Sequence, residues 1–282
     1  MKIIAPGKLV LTGAYAVLEG APAVVVAVDR YAVVDVATPE QVDVRAMHDD
    51  GGRKLGLGSS AASMVATAGA KALARGADLR DVGVRERLLR LVRADHACSQ
   101  SGGSGVDVAA AVYGGTLRFS LHGTEARVRS VELPAGVVLA AFWSGASART
   151  SDLLARVDAH RAREPRALSE LGRIAVDAVA AVDAKDAGAF VAAADGYGRA
   201  LDALGRVADA PIVPPAFAAL AAAARDEGAA FLPSGAGGGD VAVWLGRAAP
   251  SAPFLARAGT LAMRLLPVGI DRGGVRPDST VS

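Results

Sequence analysis

Three glycine-rich clusters set where this chain can run as regular structure: GLGSS at 56–60, SGGSG at 101–105 and SGAGGG at 234–239. Glycine enters left-handed backbone conformations without steric cost and weakens helix and strand interiors. Each cluster therefore marks a junction between elements. The alanine-rich stretch after the first predicts a helix with Ser59 or Ser60 as N-cap and Gly76 as its stop. The second cluster runs into a shorter helix, DVAAAVYG at 107–114, which puts Asp107 at a helix start. The third leads into a strand, VAVWLG at 241–246. It holds four glycines within positions 235–239, more than a short hairpin needs. That density predicts close approach of the backbone to a ligand or to another glycine loop.

Around these junctions the pattern alternates between sheet and helix. AVVVAV (23–28), YAVVDVA (31–37) and VDVRAM (42–47) are rich in β-branched residues and read as strands, with Asp29 and Arg30 as the tight connection between the first two. VRERLLRLVRADHA (84–97) has apolar residues at helical spacing. TLRFSL (116–121) and RVRSVEL (127–133) predict a hairpin, and VVLAAFW (137–143) a buried strand. From 151 to 228 the chain reads as helix, broken at Pro165, at Gly188 and in PIVPP (211–215). TLAMRLLPV (260–268) predicts a final strand, and DRGGVRPDSTVS (271–282) a loose tail. The expected fold class is α+β, with an N-terminal lobe over 1–135 and a C-terminal lobe over 136–282.

Composition narrows the function classes. The chain is 52% hydrophobic over 282 residues, enough for a large core. Its 31 basic and 29 acidic residues nearly cancel, and like charges do not run in blocks. A nucleic-acid footprint is therefore absent from the sequence. With one cysteine, Cys98, no internal disulfide forms. No apolar run approaches the ~20 residues of a spanning helix. The start MKIIAPGK lacks the apolar core of a signal peptide. The expectation is a cytoplasmic protein without nucleic-acid or membrane partners.

The clusters carry the chemistry. The pattern GxxxxGK[ST] is missing, since the Gly7-Lys8 pair is followed by Leu9. GLGSSA fits GxGxx[GA], but a polar stretch, HDDGGRK, precedes it where a dinucleotide fold needs a strand. What remains is physical. Gly56 and Gly58 let backbone N–H groups turn toward a ligand, Ser59 and Ser60 add hydroxyls, and the following helix offers free amides and positive dipole. This suits a polyphosphate, and it equally describes a capped helix behind a glycine turn. Asp107 is either a dipole-stabilised helix-start aspartate or a carboxylate that accepts or orients a hydroxyl proton. Lys8, inside an otherwise apolar strand, either serves an anionic site or sits at a strand edge in water.

Taken in order, APGKLVLTGAYAVLEG (5–20), GLGSSAAS (56–63) and SGAGGGD (234–240) resemble the three motifs of the GHMP kinases, named for galactokinase, homoserine kinase, mevalonate kinase and phosphomevalonate kinase. The resemblance spans nearly the whole chain. It implies an N-terminal lobe like ribosomal protein S5 domain 2 and a C-terminal ferredoxin-like lobe. It also implies a kinase that uses ATP and Mg2+ on a small-molecule acceptor, as a monomer or homodimer. Within the family, KLGLGSSAA, SGVDVAAAVYGG and WSGASARTSDLL are most similar to the phosphomevalonate kinase branch, with phosphomevalonate or mevalonate as acceptor. By position, Lys8 and Asp107 would be catalytic. Lys54, Gly56, Leu57, Gly58, Ser59, Ser60 and Ala61 would bind ATP, with Ser59 as metal ligand. Tyr15, Ser104, Ser147, Arg149, Gly238 and Asp240 would line the acceptor side. Two departures thin the expected metal site. Ala14 stands where the family usually carries an acid, and His96 where mevalonate kinases carry a glutamate. A catalytically silent, ligand-binding family member is the alternative they suggest.

Overall fold

The computed structural model describes residues 1–99, 103–146, 150–161 and 165–279. Two compact units emerge, and neither is a single stretch of chain. The first comprises 1–9, 25–117 and 269–282, and the second 10–24 and 118–268. The sequence reading divides the chain once, at 135; the units exchange chain at four points, three of them inside strands.

Those strands are β1 (Lys2–Thr12), β2 (Ala23–Asp35) and β4 (Thr116–His122). With β3 (Val42–Asp43), β5 (Glu125–Val131) and β10 (Arg276–Pro277) they make one sheet, ordered β10-β1-β2-β4-β5, with β3 paired to β2. The predicted turn at Asp29-Arg30 does not form, and β2 runs straight through it. Asp29 instead pairs with the chain's end: its N–H donates to the Gly269 carbonyl at 3.0 Å, and its Oδ1 accepts from the Gly269 N–H at 2.7 Å. The predicted strand over 42–47 shrinks to β3, and a 3₁₀ turn covers Arg45–Met47.

In the first unit, α1 (Ser59–Ala74), α2 (Val82–Ser99) and α3 (Val106–Tyr113) pack on one another. The core is built from small side chains. Ala61, Ala62, Ala66 and Ala70 of α1 and Ala109, Ala110 and Ala111 of α3 are buried. Small residues let backbones approach closely, and a Cβ on Gly69 would stand 2.8 Å from Val275. The N-cap of α1 is Gly58 in the left-handed region, not a serine; Ser59 is already helical. Gly76, with φ +82°, ends the helix as expected.

The second unit contains a four-stranded sheet ordered β7-β8-β6-β9, from β6 (Val138–Trp143), β7 (Ala230–Pro233), β8 (Val241–Gly246) and β9 (Arg264–Leu266). The β6–β8, β6–β9 and β7–β8 pairings are antiparallel. Helices α4 (Thr150–Arg161), α5 (Pro165–Asp183), α6 (Ala187–Val207), α7 (Pro215–Asp226) and α8 (Ala252–Thr260) complete it. Its core is aromatic where the first is aliphatic. Phe231 meets Phe142, Phe217 and Phe254 at ring distances of 5.5, 6.0 and 5.7 Å, and Trp244 lies 4.5 Å from Phe254.

The predicted loose tail is ordered through 279, and this overturns the sequence expectation. Buried Asp271 accepts hydrogen bonds from the N–H groups of Gly273 and Gly274, at 3.0 and 2.8 Å, and from Tyr31 Oη at 2.9 Å. Its carboxylate pairs with Arg276 at 2.7 Å. Gly274 lies so close to Val112 and Gly114 that a Cβ on either glycine would collide with the other's backbone. Removing one partner of a buried, hydrogen-bonded ion pair costs ~3–5 kcal/mol. Asp271→Ala should therefore lower unfolding free energy by about that much in urea denaturation. A loss under roughly 1 kcal/mol, the scale of a surface pair, would return this segment to the status of a tail.

Candidate functional site

The first unit gathers the first glycine cluster, Gly105 and Asp107 around Gly58. The Lys8 N–H donates to the Leu57 carbonyl at 2.8 Å, and Lys8 Nζ to the Gly56 carbonyl at 3.4 Å, so β1 is tied to the loop ahead of α1. Gly7 allows this approach, since a Cβ there would stand 2.7 Å from the Leu57 carbonyl oxygen. A Cβ on Gly58 would lie 3.2 Å from Lys8 Cγ, 3.4 Å from Lys8 Cε and 3.8 Å from Asp107 Cβ. Lys8 and Asp107 thus flank the gap that the missing side chain of Gly58 leaves. Gly58 also has φ +80°, a conformation that disfavours any L side chain.

Both helix starts at this point are capped by glycine. Gly58 precedes α1 and Gly105, with φ +76°, precedes α3. Neither offers a side-chain oxygen to the amides of the first helical turn, which are the groups an anion satisfies. Ser59 is the first residue of α1, and its carbonyl accepts from Ser63 Oγ at 2.7 Å. Ser60 is half-buried beside it, whereas Leu57 and Ala61 turn their side chains into the core. Only the backbone of those two is placed to meet a ligand. Lys54 is exposed, and its backbone pairs with that of His48 in a bridge ahead of the loop.

Asp107 is the second residue of α3. Its Oδ1 accepts from the Val108 N–H at 2.9 Å, and its Oδ2 lies 3.7 Å from Nε2 of buried His96. Ser104 Oγ accepts from the Val106 N–H at 3.3 Å, so Ser104 shapes the turn that sets Asp107. Arg93 Nε donates to the Ser104 carbonyl at 3.1 Å and crosses Gly105 where a Cβ would sit 2.6 Å from it. Burial lowers the Arg93 guanidinium pKa. Arg93 is absent from the sequence-derived site and His96 enters it only as a departure. The available signal is their i, i+3 spacing, which gives them one face of the helix just ahead of the second glycine cluster.

The second unit holds Tyr15, Gly238 and Asp240. Tyr15 has φ +62°, and its phenol donates to the Ala236 carbonyl at 2.7 Å. Burial pushes the Tyr15 phenol far up, so it stays a neutral donor. Buried Tyr197 donates in the same way to the Ala14 carbonyl. Ser234 Oγ accepts from the Val10 N–H at 2.9 Å. The third glycine cluster is held by backbone partners within the second unit. Gly238 donates to the Ile212 carbonyl at 2.8 Å, a Cβ on Gly237 would strike that same carbonyl, and the Asp240 N–H donates to the Ala146 carbonyl at 2.9 Å. Ser147 and Arg149 lie outside the described residues.

Residues 24–115 match the family described as the GHMP kinases N terminal domain. That span contains the loop at Gly58, the second glycine cluster and Asp107. The chain belongs to the GHMP kinase family. It is 32% identical over 226 residues to the phosphomevalonate kinase of Streptomyces sp. (strain CL190), a match covering 71% of the chain and 59% of that relative's length. Among solved structures, the Streptococcus pneumoniae phosphomevalonate kinase in complex with phosphomevalonate and AMPPNP superposes with a TM-score of 0.79 at 19% identity, over 96% of this chain and 99% of that one. The L. major mevalonate kinase in complex with R-mevalonate does so with a TM-score of 0.71 at 17% identity, over 96% of both chains. The GHMP kinase fold is thus shared across members named for different acceptors.

Gly58→Val combines left-handed strain, ~1–3 kcal/mol, with displacement of Lys8. Unfolding free energy should fall by roughly 2–4 kcal/mol in urea titration. Gly123→Val is the control, since a Cβ there meets nothing within 4 Å although φ is +62°. Equal losses at the two positions would mean that strain alone matters and that nothing is packed at Gly58.

Proposed function

We propose that the chain is an ATP-dependent small-molecule kinase, transferring the terminal phosphoryl group to the phosphate of 5-phosphomevalonate and yielding 5-diphosphomevalonate and ADP. One observation carries this reading: Lys8 and Asp107 meet at the side-chain gap of Gly58, at the start of a glycine-capped helix. The match to a phosphomevalonate kinase supports the acceptor. The first-turn amides of α1 would cradle the nucleotide's phosphates. Lys8 would neutralise charge on the transferring group as the acceptor oxygen bonds to phosphorus and the bond to the leaving ADP oxygen breaks. Asp107 would orient the attacking oxygen and take its proton where it carries one. Gly238, Asp240 and Tyr15 are proposed on the acceptor side.

A magnesium ion would neutralise phosphate charge and orient the displacement. The described residues hold no group of three or more His, Cys, Asp or Glu that makes a metal cage. Magnesium commonly keeps its waters and uses substrate phosphates with one or two protein oxygens. The Ser59 hydroxyl, on the first residue of α1, fits that modest demand. The boundaries 1–135 and 136–282 are retained as proposed sequence lobes, distinct from the compact units.

The test is ADP release with phosphomevalonate and with mevalonate, using wild type and Asp107→Asn. Wild type should favour phosphomevalonate. The amide variant should lose ~10²–10⁴ in kcat, as expected when a proton-handling carboxylate is removed. A variant keeping more than roughly a tenth of kcat would make Asp107 a helix-start residue only. Preference for mevalonate would make the chain an alcohol kinase. No ADP release with either acceptor would point to a silent, ligand-binding member.

A further inference from the structure

We infer that Val275 is a positioning residue: it spaces β1, α1 and α3 at one end so that Lys8, Gly58 and Asp107 meet at the other. The effect on rate rests on the kinase reading above; the effect on geometry does not. The last segment of the first unit returns to each element that carries one of the three residues. Arg276 and Pro277 of β10 pair with Ile4 and Ile3 of β1, the strand of Lys8. The Val275 N–H donates to the Val112 carbonyl at 3.3 Å, near the end of α3. Val275 Cγ2 and Ile3 Cγ2 fill the space over Gly69 of α1, 2.8 and 3.4 Å from where a Cβ would sit. Val275 and Ile3 are both fully buried. Val275 thus joins α1, α3 and, through Ile3, β1.

Each element runs from this junction to the gap at Gly58. Ile3 precedes Lys8 on one extended strand by roughly 17 Å. Gly69 lies ~16 Å along α1 from Gly58, and Val112 ~8 Å along α3 from Asp107. A close-packed interior transmits a displacement rather than absorbing it, so a change of spacing at the junction arrives at the gap. A misplacement of about 1 Å costs up to ~10²-fold in rate. The backbone around Val275 is itself fixed. Asp271 accepts from the N–H groups of Gly273 and Gly274 and pairs with Arg276. Arg85 of α2 donates to the Gly273 carbonyl at 2.9 Å, and the Gly115 N–H, just past α3, donates to the Asp271 carbonyl. Val275 therefore acts through placement and not through contact with the reacting groups.

The experiment measures kcat and KM for ATP with phosphomevalonate as acceptor, and amide exchange at Lys8 by NMR, in five proteins: wild type, Val275→Ala, Gly69→Ala, the double variant and Val84→Ala. In Gly69→Ala the new Cβ pushes against Val275; in the double variant it takes the space the valine methyls leave. Val84→Ala makes the same deletion at a buried position of α2, which carries none of the three residues. Val275→Ala and Gly69→Ala should each lose at least roughly tenfold in kcat. KM for ATP should stay within about threefold of wild type, because α1 keeps its own first turn. The Lys8 amide, bonded to the Leu57 carbonyl, should exchange roughly tenfold faster in both. The double variant should bring kcat and exchange back to within about threefold of wild type, and Val84→Ala should leave both in that range. If Val275→Ala fails to fold, judged by circular dichroism, Gly69→Ala and the double variant carry the same expectation. Equal kcat losses in Val275→Ala and Val84→Ala, or no recovery in the double variant, make Val275 a core residue only and overturn the inference while the kinase reading stands. Wild type that releases no ADP overturns the kinase reading alone, and Lys8 exchange in the same five proteins then decides the inference.

Discussion

The missing side chain at Gly58 is the constraint on which the candidate site depends. A Cβ there would occupy the space that Lys8 Cγ and Cε and Asp107 Cβ border. Lys8 reaches this place because Gly7 lets β1 close on the loop, where the Leu57 carbonyl takes the Lys8 N–H. Asp107 reaches it because Gly105 starts α3 under the side chain of Arg93. Three glycines, at 7, 58 and 105, thus allow one strand and two helix starts to bring Lys8 and Asp107 to the same gap. Each gives up side-chain packing and backbone rigidity, which is the usual character of a site rather than of a core.

The two units solve packing in opposite ways, and the difference bears on what each can do. The first uses alanine-rich helices whose backbones lie close to their neighbours, so small displacements of a loop are felt across α1, α2 and α3. The second buries a cluster of phenylalanine and tryptophan rings in edge-to-face contact, which adds stabilisation beyond area alone. On that base it holds the third glycine loop by backbone bonds to Ile212 and Ala146 and by the Tyr15 phenol. A loop of four glycines would otherwise sample many conformations. Here protein partners fix it.

Membership of the GHMP kinases follows from the matched N-terminal domain and from the curated relative, while the fold is shared by members acting on different acceptors. The family therefore leaves acceptor choice to individual side chains. Near Asp107 the structure places Lys8, Arg93 and His96.

The sequence by itself determined the elements whose signals are local. Glycine clusters marked the junctions, the alanine-rich run became α1 with Gly76 at its end, and the hairpin of β4 and β5 forms where expected except that β5 covers Glu125–Val131 rather than 127–133. Lys8, Gly58 and Asp107 stood out as candidates because lysine, glycine and aspartate contrast with apolar surroundings, while only the family resemblance gave them roles. Tertiary structure alone decided what depends on partners far along the chain. Asp29-Arg30 has the composition of a turn, yet Gly269 pairs with it and keeps β2 straight. The segment from 271 lacks hydrophobic periodicity and still folds, because the Asp271 carboxylate gathers two backbone amides, Tyr31 and Arg276. His96 meets Asp107 only because α2 and α3 pack side by side. Such contacts carry no period and no fixed spacing, so they exist only once the chain has closed on itself.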